Sequence, residues 1–494
     1  MIVKGVSRLE AEWRIAEDSG QRRCERGLFW AVIGLAEFHM FACSFREVLP
    51  GFGEPFFRLE RWFGAAIFAA LLVYLGYALV RRSDTPGRLK AMCRHLCSLE
   101  QAYMFWTFFW YIFIVAFWQL LRGGNLFRVH AWWIFETGLM AFVFFPLPRL
   151  LGWERAKIMI ETMMKPILIP HMLVWAWLLL QYFRLNYVTL PSGGSLSTEP
   201  GHLMSFGYNP NITGAGGLIM MALCLYFTAA QDAWRKLPYI FGAVVYFVVL
   251  VLTNCRTSWY CTLLITACGC FLAVWFGLKE KPWILRAALG LLLAVGCVLI
   301  LLWLRGELFT LLDACHSRIQ GAASAAGGGM AAETGPAADY MRTAGGEDAG
   351  DLTGRMPLYK ACKDVMLSRK LIFFFGVPSL DIGSAVFGRY DIDFAYLHAH
   401  NFLLTTGMTY GVPTMIFAAV FLVSVFVRCF RVLFIHKKTL FRGFWMIPVI
   451  LAALVAEDMM ESYLCVSAWS MTCITFYLFS GWIVAMDKEN KMQN

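Results

Sequence analysis

Charge is what this sequence has least of. Asp, Glu, Lys and Arg together make up 15% of its 494 residues, whereas 59% are hydrophobic and 16% aromatic. A soluble domain is about 45–50% apolar and about 25% charged, so a chain of perhaps three water-soluble domains is excluded. The N-terminus does not pair a short basic stretch with an immediate apolar core; residues 1–26 carry mixed charge. A cleavable signal peptide is therefore not expected. Internal repeats are also missing. What fills the chain instead are apolar blocks of about 20 residues, the length a helix needs to cross about 30 Å of hydrocarbon. They fall near 27–44, 62–80, 102–121, 129–148, 166–183, 212–230, 237–254, 257–277, 283–304, 411–432, 443–460 and 464–486. The expected fold is an all-α polytopic membrane protein of about twelve transmembrane helices.

The net charge of +10 is a statement about topology rather than about nucleic acid. With the N-terminus placed in the cytosol, 27 of the 43 Lys and Arg residues fall on the inside. The short outside loops hold 7 and one long outside segment, 305–401, holds 9. Basic residues resist translocation, so this asymmetry orients the chain and puts both termini in the cytosol. Clusters such as Arg81, Arg82, Arg88, Lys90 and Arg94 are contacts for anionic membrane lipids, and no nucleic-acid partner is expected.

This orientation divides the chain into a cytosolic tail (1–26), helices one to nine (27–304), the long outer loop (305–401), helices ten to twelve (402–486) and a second cytosolic tail (487–494). Within the loop, 321–350 is dominated by Ala and Gly and buries too little apolar surface to offset its ordering entropy, so it is read as flexible. Leu352 to Val365 has apolar residues at helical spacing, Leu371 to Phe375 looks extended or buried, and Gly376-Val377-Pro378 marks a turn. Most of the fifteen cysteines lie in apolar spans and behave there as small apolar residues. Cys315 and Cys362 lie within the outer loop, where a disulfide between them is an open alternative.

The densest group of reactive side chains is His398-Ala399-His400-Asn401, just before a span broken by Gly411 and Pro413. Histidine titrates near neutrality and serves as a general base, and an adjacent Asn401 can orient the imidazole or a substrate hydroxyl. The alternative is a plain helix cap. The second group is Thr253-Asn254-Cys255-Arg256-Thr257-Ser258, an outer connection so short that Arg256 sits at the membrane boundary, where a charge usually faces a protein cavity. Arg355 heads the structured part of the loop. Two guanidiniums converging on one cavity would hold a pyrophosphate by paired, charge-assisted hydrogen bonds; the alternative for each is snorkelling to lipid phosphates. Glu457, Asp458 and Glu461 lie at the outer end of the eleventh span and need partners there, with Arg256 or Arg355 the expected ones. Asp391 and Asp393 have metal-pair spacing but lie in an outer loop, and a metal site is not expected. His130, His202 and His316 are read as surface.

The order of these features resembles a known family. Asn209-Pro210-Asn211 precedes a span, and a Thr-Asn-x-Arg-Thr-Ser turn carries Arg256. Gly354-Arg355 opens the structured loop, and Phe375-Gly376-Val377, His398-x-His400-Asn401-x-x-Leu404 and Tyr410-Gly411-Val412-Pro413 follow. Over roughly 205–465 this looks like the O-antigen ligase and polymerase superfamily, with a GT-C-like architecture. Tyr359 stands where that family commonly has Trp, and Pro378 where a second Gly is common. The resemblance implies a bacterial inner-membrane enzyme that takes a glycan from undecaprenyl pyrophosphate and joins it to a glycan or lipid-glycan acceptor on the outer face. By the same resemblance Arg256 and Arg355 bind the pyrophosphate and His400 is the base, with Asn211, Tyr359, His398, Asn401 and Glu461 as substrate-binding candidates. Because the pyrophosphate is already a good leaving group, no cofactor is needed, and in-line attack would invert the anomeric centre. One dominant outer loop leans towards a ligase over a polymerase. A flippase or transporter is the rival class, but the polar residues gather at one face rather than near the midplane.

Overall fold

The structure is a computed structural model that describes residues 98–123, 125–183, 210–325, 355–377, 399–435, 441–461, 464 and 470–493, with isolated positions 34, 38, 66 and 69 before them. Apart from those positions the expected spans 27–44 and 62–80, and with them all of 326–354, His202, Pro378, Asp391, Asp393 and His398, lie outside the described residues. All regular elements among the described residues are helices. The α-helices are α1 (Leu99–Arg122), α2 (Leu126–Leu139), α3 (Pro146–Leu151), α4 (Trp153–Phe183), α5 (Pro210–Ala230), α6 (Leu237–Thr253) and α7 (Arg256–Gly277). They continue as α8 (Trp283–Ala325), α9 (Arg355–Ser368), α10 (Lys370–Phe375), α11 (Phe402–Tyr410), α12 (Val412–Phe430), α13 (Met446–Asp458) and α14 (Met471–Gln493).

Seven helices among the described residues are long and apolar enough to cross a membrane, and the chain is a multi-pass membrane protein. The other described spans of the expected twelve depart from that pattern for local reasons. The block 129–148 is not one straight helix: α2 passes into a π-helical turn, Met140–Phe144, and then into α3, which opens on Pro146. The block 443–460 contains only the 13-residue α13. The last block starts later than expected, at Met471, and stays helical through the charged residues up to Gln493.

The core is built around α14. Its residues from Met471 to Met486 are almost wholly buried, and it packs against α3, α4, α5, α12 and α13. At Gly481 the helix touches the backbone of the π-helical segment, and a Cβ there would overlap the carbonyl oxygen of Phe145. A π-turn widens the helix locally, and here it is the seat for α14. Backbone cannot yield as a flexible side chain can, so Gly481→Ala is expected to destabilise the protein by about 1–3 kcal/mol, the usual cost of overpacking. A thermal-unfolding scan in detergent checks this; an unchanged midpoint would mean the two helices can separate.

One end of the bundle is tied by ions. Arg428 on α12 donates to Glu100 at 2.5 Å and to Asp487 at 2.8 Å, and both carboxylates are fully buried. Arg442 pairs with Asp232 between helices at the same end. At the opposite end the chain breaks repeatedly. Asn254, with φ 48°, separates α6 from α7, and Gly411, with φ 88°, separates α11 from α12. Gly411 lies against the carbonyls of Phe373 and Phe374, and Gly376 against the backbone of Thr409, so α10 packs backbone-to-backbone on the α11–α12 break. Leu371–Phe375, expected to be extended or buried, is therefore a short helix, with Phe375 stacked on Phe117 and Trp110.

The segment expected to be the outer loop begins as a helix. With 43 residues, α8 is about 65 Å long, about twice a hydrocarbon core, and it continues through the first five residues of the stretch read as flexible. Farther on, α9 bears out the helical spacing read from Leu352 to Val365.

Candidate active site

At the end of the bundle with the broken helices, residues distant in sequence converge. The centre is His400. Its Nδ1 lies 2.6 Å from Oε2 of Glu461, and Oε1 of Glu461 accepts a hydrogen bond of 3.2 Å from Asn211 Nδ2. Glu461 is 2% exposed and His400 7%. A carboxylate and an imidazole nitrogen cannot meet at this distance without a proton between them. With that proton on Nδ1, Nε2 would be the acceptor of a neutral ring.

The backbone at His400 is left-handed, φ 48°, a conformation that non-glycine residues visit rarely and histidine more often than most. Ties on both sides hold it. The Tyr359 hydroxyl on α9 donates to the His400 carbonyl at 3.0 Å, and Ala399 is buried beside Leu358 and Cys362. On the other side Asn401 caps α11, its Oδ1 accepting from the Leu404 amide at 3.0 Å while its Nδ2 donates to the Met459 carbonyl at 2.8 Å. Asn401 thus locks the His400 loop to the turn after α13. The group on the imidazole is Glu461.

Several partners of the acidic cluster come from outside the expected arginines. Glu461 takes His400 and Asn211. Glu457 accepts from Ser258 at 2.7 Å, and Asp458 accepts from the Leu464 amide at 3.0 Å, shaping the turn that presents Glu461. The Ser258–Glu457 bond carries the site across to α7, whose first residue is Arg256, with an exposed side chain. Close packing supports the junction: a Cβ on Gly214 of α5 would press on Cys255 and Ser258. Arg355 is the first residue of α9, one turn before Tyr359.

The structure therefore brings together Asn211, Tyr359, His400, Asn401 and Glu461, and links Arg256 to them through Ser258 and Glu457. Sequence reasoning missed one pairing and passed over Arg305. Ser258 and Glu457 gave no signal as a pair, being 199 positions apart. Arg305, at the start of the expected outer segment, donates from Nη2 to Asn254 Oδ1 at 2.8 Å, and its guanidinium lies 4.9 Å from the Trp259 ring centre. His130, read as surface, is buried and bonded to the Tyr111 hydroxyl at 2.9 Å. Cys315 and Cys362 are both free thiols. Burial pushes the Cys362 thiol up to about 12, so at neutral pH it lacks the thiolate that disulfide exchange requires.

These features define a multi-pass helical membrane protein with a buried His–Glu pair at one end of its bundle and arginine-bearing helix starts beside it. Residues 241–419 match the family model described as O-antigen ligase, and this match supports an assignment to the O-antigen ligase and polymerase superfamily. No curated protein and no solved structure matches the chain. The matched segment contains Arg256, Arg305, Arg355, His400 and Asn401, while Asn211 and Glu461 lie outside it on either side.

Proposed function

We propose that the chain is an O-antigen ligase-type glycosyltransferase that moves a glycan from undecaprenyl pyrophosphate to an acceptor hydroxyl at the outer face of the bacterial inner membrane. The observation that carries this reading is the His400–Glu461 pair, whose histidine lies within the segment that matches the ligase family. The acceptor oxygen attacks the anomeric carbon in line with the departing pyrophosphate. His400 Nε2 takes the hydroxyl proton as the new carbon–oxygen bond forms. The bond from the anomeric carbon to the bridging phosphate oxygen breaks, and its electron pair leaves with undecaprenyl pyrophosphate, inverting the centre. Glu461 keeps the imidazole in the accepting tautomer and stabilises the imidazolium that forms, as the carboxylate does in a hydrolase triad. Arg256 and Arg355 neutralise the charge gathering on the leaving pyrophosphate, where such stabilisation contributes most to rate. His398 lies two residues from the base and is assigned to the acceptor. The same geometry serves a polymerase, whose acceptor is another lipid-linked glycan.

Transfer of labelled glycan from its lipid pyrophosphate, with the purified protein in vesicles, tests the reading. Arg256→Lys keeps the charge but loses the planar fork that fits two phosphate oxygens. Losing one charge-assisted hydrogen bond should lower transfer about tenfold to a hundredfold. Near-normal transfer by this variant would reduce Arg256 to a lipid anchor, and no transfer by the wild-type protein would remove the donor assignment.

A further inference from the structure

The turn that presents Arg256 is held from two sides. Ser258 ties it towards His400 through Glu457; from the other side α8 reaches it through Arg305. Asn254 ends α6 in the left-handed conformation (φ 48°, ψ 24°), which reverses the chain so that α7 can start two residues later. Its side-chain oxygen accepts from Arg305 Nη2 at 2.8 Å. The same guanidinium packs over the buried ring of Trp259, three residues beyond Arg256, and lies 5.7 Å from the ring centre of Phe309. Arg305 therefore grips the chain on both sides of Arg256, at positions 254 and 259. Arginine suits this place because a planar cation can stack on an aromatic face while its edge donates to an amide oxygen.

We propose that Arg305 is a positioning residue for the donor. It fixes the Asn254–Trp259 turn so that Arg256 meets the pyrophosphate without a search over conformations. This rests on the function proposed above. It extends that reading by making the foot of the long outer helix part of the donor site, so that α8 and the pyrophosphate arginine move as one body. A preorganised cation binds its anion without first being ordered, so the effect belongs in donor affinity rather than in the proton-transfer step.

The experiment compares Arg305→Gln, Asn254→Gly and the double variant in the full-length protein. Gly keeps the positive φ that Asn254 adopts but offers no side-chain acceptor, so it removes the contact without straining the turn. Each single variant is expected to raise the donor KM about tenfold, the effect of one hydrogen bond to a charged group, with kcat changed less than about twofold. The double variant should be no worse than either single one, because both remove the same contact. Backbone amide exchange over 254–259 should accelerate alike in all three. Unchanged exchange in both single variants overturns the proposal whatever the transfer assay shows. Additive KM effects would overturn it in favour of Arg305 touching the pyrophosphate itself, and a normal Asn254→Gly beside a defective Arg305→Gln would make Arg305 a helix-packing residue only. Exchange is read without donor, so a failure of the donor assignment shows separately, as absent transfer by the wild-type protein.

Discussion

Replacing His400 by Asn is expected to lower glycan transfer by about a hundredfold to ten-thousandfold, the usual cost of removing a general base. Asn is the informative substitution because His400 holds φ 48°. Ala would add left-handed strain to the loss of the imidazole, whereas Asn tolerates that backbone and still cannot take a proton at neutral pH. The variant should therefore keep its thermal midpoint and bind the lipid-linked donor within a few-fold of wild type while failing to turn it over. Single-turnover transfer with saturating donor is the direct measurement. Wild-type turnover would mean that His400 is a loop residue and that the base lies elsewhere, with His398 the first to examine.

Glu461→Gln is expected to come close to the same loss without disturbing shape. In the proposed mechanism the native carboxylate, 2.6 Å from Nδ1, accepts from the ring and keeps the proton on Nδ1. An amide can turn its NH2 towards Nδ1, which moves the ring proton to Nε2 and removes the lone pair that accepts the substrate proton. In a serine-protease triad the corresponding acid-to-amide change costs about ten-thousandfold in kcat. A fall of at least about a hundredfold is expected here, in kcat rather than donor KM. The double variant His400→Asn/Glu461→Gln should be no slower than His400→Asn alone, since groups that act as one unit do not lose rate twice. An undiminished rate in Glu461→Gln would leave Glu461 as a clasp between α5 and the turn after α13.

The parts of this site legible in the sequence are those where local chemistry is costly unless explained. An acidic residue near a membrane boundary must have a partner, which pointed to Glu461 but not to which residue satisfies it. Arginines were expected; a histidine and an asparagine are among its partners, because partner choice depends on which helix ends meet, and hydropathy is blind to that. His400 and Asn401 stood out by composition and by the helix start that follows them. Arg305 did not, because an arginine at the end of an apolar span looks like any interfacial anchor. The helical span α12 was readable from its length and apolarity. The π-turn at Met140–Phe144 was not; it lies directly before Phe145, where α14 packs closely, a tertiary contact with no local signature. Leu371–Phe375 is apolar throughout, so periodicity could not separate helix from strand, and its packing on Gly411 decided the matter.

Helix α5 has Asn211 near one end and Ala230 at the other, where Gly443 packs against it. Its 21 residues measure about 31 Å, one hydrocarbon thickness. Asn211 holds Glu461, and Glu461 holds His400, so the proposed base stands at a fixed height above the ion-tied end of the bundle. The phosphates of a lipid carrier float at a height set by the membrane. On the proposed function, acyl-chain length thus becomes a variable of the reaction: a thicker bilayer would lift the carrier's pyrophosphate above Arg256 and His400, and a thinner one would lower it below them. Hydrophobic mismatch of this kind costs fractions of a kcal/mol per Å. Host-lipid thickness would then tune the rate of this enzyme with every side chain unchanged.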